Sequence, residues 1–302
     1  MPKTILSRYL DPEVLNQIAG RRLEPRGLVL GHVAGAHKSP RSGVAVEFAG
    51  HREYVPGDDP KHIDWRVYFT RGRYFVKQYE METNLVCHFI LDSSESMRYG
   101  RDRQQKLRYA AEMIVALGYA VVRQNDQVSL ATFDETVGEV VPPSNTMAQI
   151  HRFCELLDRS PPRRKTAMAD CLAVLTGRMR RREIVMIFSD FFTDLQSLEA
   201  AVQQMRYHHH EVVLLQIMHH DELHFEFDRT TKFVGLEIPE QLLAQPQRIR
   251  RGYLEALDRF NRRLANICQR NRTERVLVNT SRNKGQVLLD YLNQRSRLNR
   301  GR

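Results

Sequence analysis

Residues Leu85–Met97 read LVCHFILDSSESM. From Leu85 to Leu91 the run is apolar with one interruption, His88, which is the texture of a strand buried on both faces of a sheet. At Asp92 it changes to acid and hydroxyl, with Asp92, Ser94 and Ser96 at alternate positions. A second stretch, EIVMIFSD (Glu183–Asp190), has the same shape and also stops at an aspartate. Between and beyond them, apolar strands alternate with segments of helical spacing. QKLRYAAEMIVALGYAVVR places Leu107, Ala111, Ile114, Leu117 and Val121 on one face, and LQSLEAAVQQM leads into the strand EVVLLQIM. Alternation of this kind predicts an α/β fold, a mostly parallel sheet flanked by helices on both faces.

Working outward, QVSLATFD and GEVVPP read as a hairpin, with helices from about 146 to 157 and 167 to 179. FEFDRTTKFVGLE alternates like a surface hairpin. A helix from about 248 to 269, a strand RVLVNT and a helix from about 284 to 292 close the series. Ahead of Leu85 the texture differs. Asp11 and Pro12 open a short helix over residues 11–22, and from Gly27 to Glu82 the chain is rich in Gly, Pro and Arg, ending in the alternating run RYFVKQYEME. The expected organisation is therefore an N-terminal helix and β-rich segment, residues 1–84, and an α/β domain, residues 85–302.

The 302 residues include 46 Lys and Arg against 36 Asp and Glu, a formal charge of +10, which invites an acidic partner without choosing among nucleic acid, anionic membrane and protein. The four cysteines, Cys87, Cys154, Cys171 and Cys268, show no CxxC pair and lie mostly in apolar stretches, so they read as buried thiols of a reducing compartment. The opening MPKTILSRYLDPEVL lacks the apolar core of a secretion signal, and no later run is long enough to span a bilayer. A cytoplasmic location is expected.

In an open parallel sheet, ligands bind outside the carboxyl ends of the strands. Asp92 and Asp190 end two buried strands there, and two carboxylates side by side call for a positive charge between them. With the neutral oxygens of Ser94 and Ser96, this chemistry suits a hard divalent ion, Mg²⁺ first and Mn²⁺ or Ca²⁺ next. The competing reading is ordinary capping of the following helix by serine. Asp194 reads as a helix cap rather than a ligand.

DSSES resembles the Asp-x-Ser-x-Ser signature of von Willebrand factor type A domains. Their metal-ion-dependent adhesion site takes a further Thr from a later loop and an Asp from the end of a later strand. Thr166 in RRKTAMADCLAVL and Asp190 fall in those places. The resemblance implies a metal site of Asp92, Ser94, Ser96, Thr166 and Asp190, with one coordination position open to an Asp or Glu of a partner protein. GAHKSPRSGVAVEFAGHREYVPGDDPKHIDW, followed by FVKQYEMETN and later by HHDELHFEFDRTTKFVGLE, is similar to the bacterial domain-of-unknown-function family fifty-eight, whose members join such a segment to a type A domain. Two departures are Ala45 in place of a usual glycine and Phe69-Thr70 in place of a usual Ala-Arg. The family's members resemble adaptors encoded beside MoxR-type AAA+ ATPases, which implies a non-enzymatic adaptor acting with such an ATPase in assembly or maturation of a client.

Two other function classes compete. A nucleic-acid-binding protein would use clusters such as Arg178 to Arg182 and the Arg-rich tail, but aromatic residues are sparse in those clusters and no reader motif is present. An Mg²⁺-dependent hydrolase would use the two aspartates but lacks a histidine base beside them, His88 lying inside its strand. His208, His209 and His210, like His219, His220 and His224, tempt toward zinc, yet their spacing points them in different directions. EYVPGDDPKHIDW reads equally as a docking loop or a tight turn, with Trp65 as a core anchor.

Overall fold

The computed structural model describes residues 5–25, 46–81, 85–159, 167–180, 182–236 and 241–300. In chain order they form α1 (Ile5–Tyr9), α2 (Pro12–Ile18), β1 (Val46–Glu53), α3 (Trp65–Arg71), β2 (Phe75–Met81), β3 (Val86–Asp92), α4 (Lys106–Val122), β4 (Gln127–Phe133), β5 (Val137–Ser144), α5 (Ala148–Arg159), α6 (Met168–Arg178), β6 (Ile184–Ser189), α7 (Leu195–Tyr207), β7 (Glu211–Met218), α8 (His220–His224), β8 (Thr231–Val234), β9 (Gln241–Ala244), α9 (Pro246–Arg270), β10 (Glu274–Asn279) and α10 (Lys284–Arg300). Single 3₁₀ turns occupy Pro60–His62, Glu95–Arg98 and Asp102–Gln104. These elements divide into two compact units, Met1–Pro25 with Leu85–Arg302, and Arg26–Asn84.

The larger unit is built on a six-stranded sheet in the order β10-β7-β6-β3-β4-β5. Every neighbouring pair is parallel except β4–β5. The antiparallel β5 closes one edge, and its Pro142 and Pro143 suit an edge strand, where a missing N–H removes no ladder bond. Strand side chains alternate between two apolar layers. Cys87, Phe89 and Leu91 of β3 join α2, α4, α5 and α10 in one layer, while Ile90 joins α6, α7 and α9 in the other. The two strands that looked apolar throughout are buried along almost their whole length, which requires helices on both faces.

Several elements differ from the sequence reading. The helix assigned to an N-terminal part belongs to the larger unit: Val14, Ile18 and Leu23 share a core layer with Val287, Leu288 and Tyr291 of α10. Arg8 and Tyr9 of α1 bond Asp158 of α5. The hairpin expected within FEFDRTTKFVGLE forms instead between β8 and β9, with Thr231 opposite Ala244. The final helix runs on past Leu292 to Arg300, because Arg295 is buried with its guanidinium on the Tyr291 hydroxyl and the Glu211 and Glu274 carboxylates. All four cysteines are buried free thiols. No helix among the described residues is long and apolar enough to cross a membrane.

In the smaller unit β1 and β2 form an antiparallel pair with a shift in register between Phe48 and Gly50. EYVPGDDPKHIDW is a network of turns. Asp58 takes a two-pronged bond from Arg52 and accepts from the Val55 N–H, Asp59 caps the 3₁₀ turn, and Asp64 caps α3. Its carboxylates are thus engaged locally. α3 was not foreseen, and its C-terminal Gly72 adopts the left-handed conformation of a helix stop. Trp65 is not a core anchor: it is 54% exposed and meets Tyr68 and Tyr74 edge-on.

Candidate functional site

The chain leaves β3 toward β4 on one side of the sheet, whereas β6 continues toward β7 and β10 on the other. The carboxyl ends of β3 and β6 therefore flank the point where connections diverge, the place a doubly wound sheet opens a crevice. Asp92 is the last residue of β3 and Asp190 follows β6, so the two expected acids arrive there together.

Asp92 is 1% exposed. One carboxylate oxygen accepts the Ser94 N–H at 2.9 Å, and the other accepts the Ser189 hydroxyl at 2.6 Å. No Lys, Arg or His pairs with it among the described residues. Burial, and then the neighbouring Asp190 charge, push the carboxyl up to about 7 despite these bonds. Ser94 stands at the N-cap of the Glu95–Arg98 turn, yet its side chain makes no capping bond. Its hydroxyl lies 3.1 Å from that of Ser96 instead. Capping therefore does not account for these serines. Ser93, between Asp92 and Ser94, donates to the Phe133 carbonyl and ties the loop to β4.

Asp190 has a cation of its own. Lys106, the first residue of α4, is 0% exposed, and its ammonium donates to Asp190 at 2.8 Å and to Glu222 of α8 at 2.7 Å. Burial alone would lower the ammonium, but the two carboxylates override it and hold the lysine in its charged form. The Phe192 ring lies 5.8 Å from the same ammonium. Asp190 also accepts the Phe192 N–H. Between these two residues the fully buried Phe191 has φ of 61°, a left-handed conformation that is rare and strained for an aromatic residue. The Ser189 hydroxyl, which accepts the Phe191 N–H at 2.9 Å, helps to hold it.

On the outer side, α8 begins with a reciprocal cap: His219 accepts from Asp221 N–H, and Glu222 accepts from His219 N–H. Tyr99 packs edge-on against His219, and Tyr253 of α9 donates to the Glu222 carbonyl. A Cβ on Gly100, whose φ is 97°, would stand 2.8 Å from His219 Cδ2 and from the Gln104 carbonyl, so this close approach requires glycine.

Of the five expected site residues, Asp92, Ser94, Ser96 and Asp190 lie at this edge, and Thr166 lies outside the described residues. Ala167 N–H donates to the Asp134 carbonyl at the end of β4. Asp194 caps α7, accepting the Ser197 N–H. Among the described residues, no three His, Cys, Asp or Glu side chains form a metal cluster. His88 bonds Glu183, and His219 is engaged in the α8 cap.

Residues 50–262 match the model of the family described as protein of unknown function DUF58. The chain belongs to the DUF58 family. No curated protein matches it. Among solved structures, it is similar to the conserved hypothetical protein BatB from Bacteroides thetaiotaomicron, with 13% identity, 70% of this chain and 99% of that chain covered, and a TM-score of 0.45. It is also similar to an aerotolerance-related membrane protein from Bacteroides fragilis, with 15% identity, 70% and 98% coverage and a TM-score of 0.48. The SpRpn10 VWA domain matches with 10% identity, 68% and 94% coverage and a TM-score of 0.38. Likenesses this distant say nothing of activity.

Sequence reasoning missed Lys106, Glu222 and Ser189 in this DUF58 chain. A signal for the first existed: Lys106 lies in helical register with the buried Ala110, Met113 and Leu117, so the apolar face of α4 carries a cation at its end. Glu222 sits in HHDELH, where the histidines drew the reading.

Proposed function

We propose that this DUF58 protein is a non-enzymatic adaptor that binds a partner protein through a divalent ion, Mg²⁺ first and Mn²⁺ or Ca²⁺ next. The observation that carries the reading is Asp92, a buried carboxylate with no paired cation among the described residues, next to two serine hydroxyls that bond each other rather than the backbone. Counted in their ionised forms, Asp190 and Glu222 share one ammonium and Asp92 adds a third negative charge beside Asp190, and the remaining negative charge suits one divalent ion. Asp92, Ser94, Ser96 and Asp190 would hold it, with Thr166 as the fifth ligand on the family pattern. Bound there, the ion would supply an electrophilic position for an Asp or Glu of the partner. The half-buried Ser96 and the 40% exposed Phe192 would form part of the surface around it. A MoxR-type AAA+ ATPase as the functional companion rests on the family resemblance alone.

The test is a calorimetric titration of Mg²⁺ and Mn²⁺ into the wild type and Asp92→Ala, with circular dichroism to establish that the variant folds. Saturable binding in the wild type that the variant loses supports the site, and equal binding in both overturns it. A second reading, nucleic-acid binding, has one observation in its favour. The exposed Trp65, Phe69 and Tyr74 stand among Arg66, Arg71 and Arg73 in the smaller unit, an arrangement that suits base stacking beside phosphate contacts. It requires affinity for single-stranded DNA that falls steeply with salt and is unaffected by Asp92→Ala.

A further inference from the structure

The proposed ion site already contains a cation. Lys106 does not reach the crevice from solvent as a surface lysine would: it starts α4, is fully buried, and places its ammonium between carboxylates from two different connections, the one after β6 and the one after β7. A buried ammonium is retained only where neighbouring negative charge offsets its lost hydration. Here both of its bonds go to carboxylates, and one of those belongs to the proposed metal site.

We infer that Lys106 is the resident counter-ion of this site, balancing Asp190 and Glu222 in the absence of metal and opposing a divalent ion held by Asp92, Ser94, Ser96 and Asp190. The inference rests on the metal reading above and deepens it by naming what limits the ion's affinity. Like charges within one buried crevice repel strongly, because little water separates them. The lysine therefore holds the site in a weak-binding state in which a divalent ion alone is poorly retained. A partner carboxylate completing the ion's coordination adds the negative charge that offsets the ammonium, so ion and partner bind together more tightly than either does alone. Lys106 is in this sense a positioning residue: it fixes Asp190 and sets the charge of the site without itself holding the ion.

The partners of Lys106 give the inference two predictions of opposite sign. Lys106→Met removes the positive charge while keeping an unbranched side chain of similar length in the helix. Glu222→Gln removes one negative charge while preserving the cap of α8, since glutamine also accepts the His219 N–H. The experiment is a calorimetric Mn²⁺ titration of the full chain as wild type and as each variant, with circular dichroism for folding and a thermal melt without and with Mn²⁺. Lys106→Met is expected to bind Mn²⁺ at least about tenfold more tightly than the wild type, to melt lower without metal, and to regain stability when Mn²⁺ is added. Glu222→Gln is expected to bind Mn²⁺ more weakly than the wild type.

Binding by Lys106→Met where the wild type shows none also supports the inference. Equal Mn²⁺ affinity in the wild type and a folded Lys106→Met overturns it while leaving the metal reading in place. No Mn²⁺ binding in any of the three proteins overturns both. If Lys106→Met does not fold, Glu222→Gln decides: weaker binding supports the inference and unchanged or tighter binding overturns it.

Discussion

Ser189 links the acid at the end of β3 to the strained residue after β6, and removing its hydroxyl tests whether the crevice is held as described. The Oγ atom donates to Asp92 at 2.6 Å and accepts from the Phe191 N–H at 2.9 Å, and Ser189, Asp92 and Phe191 are all essentially inaccessible to water. Ser189→Ala leaves a buried carboxylate oxygen short of a donor, about 2 to 3 kcal/mol for a charge-assisted bond. It also leaves a buried N–H without its acceptor, about 1 to 2 kcal/mol. The volume removed is a single oxygen, so the cavity adds little. The expected loss is about 3 to 5 kcal/mol, or roughly 10 °C in melting temperature for a unit of this size. The assay is urea unfolding of the metal-free protein well above pH 7, where the Asp92 carboxyl is ionised, followed by a double-mutant cycle with Asp92→Ala. In that background the carboxylate is absent and only the Phe191 contribution remains, so the coupling between the two sites should be about 2 kcal/mol. A loss below about 1 kcal/mol for Ser189→Ala, or strict additivity in the cycle, would refute the reasoning.

Two further predictions concern the opposite end of the sheet. Burial holds His210 at about 4 against an ordinary 6.5, with its Nδ1 accepting the Glu183 N–H and its Nε2 buried without a bond among the described residues. The folded protein thus binds fewer protons there than the unfolded chain. The stability due to neutral His210 is complete above about pH 6.5 and declines as pH falls toward 4, by about 2 to 3 kcal/mol. Unfolding measured from pH 7.5 to 4.5 should show a shallower pH dependence in His210→Gln, and equal slopes would contradict the assignment. Arg295→Met removes a fully buried guanidinium from between Glu211 and Glu274 and should destabilise the protein by about 3 to 5 kcal/mol. Arg295→Lys should recover less than half of that, because a single ammonium cannot reproduce the planar fork in which Nη1 bonds Glu274 and Tyr291 while Nη2 bonds Glu211. Denaturant midpoints of the two variants compare them directly.

Much of this architecture was legible in the chain. Largely apolar runs such as VCHFIL and IVMIF have one stable use in a chain of this length, strands covered on both faces, and the helical spacing between them supplies the covers. Two such strands ending in aspartate place both acids at one sheet edge, because parallel strands share their carboxyl end. Short elements were harder to see. α1, α3 and α8 each have at most seven residues, too few for a periodicity to emerge, and they are held by caps and by neighbours distant in sequence.

The sequence by itself determined the strands of the six-stranded sheet, the main helices and the placing of Asp92 and Asp190 at the crevice, since these follow from local patterns of polarity. Only the tertiary structure decided how the charges there are balanced. Lys106 meets Asp190 across 84 residues and Glu222 across 116, while Ser189 meets Asp92 across 97. A charge buried on a helix end can be suspected from its register. The carboxylates that keep it charged are chosen by which connections the sheet order brings to the same edge, and that order is a property of the packed core.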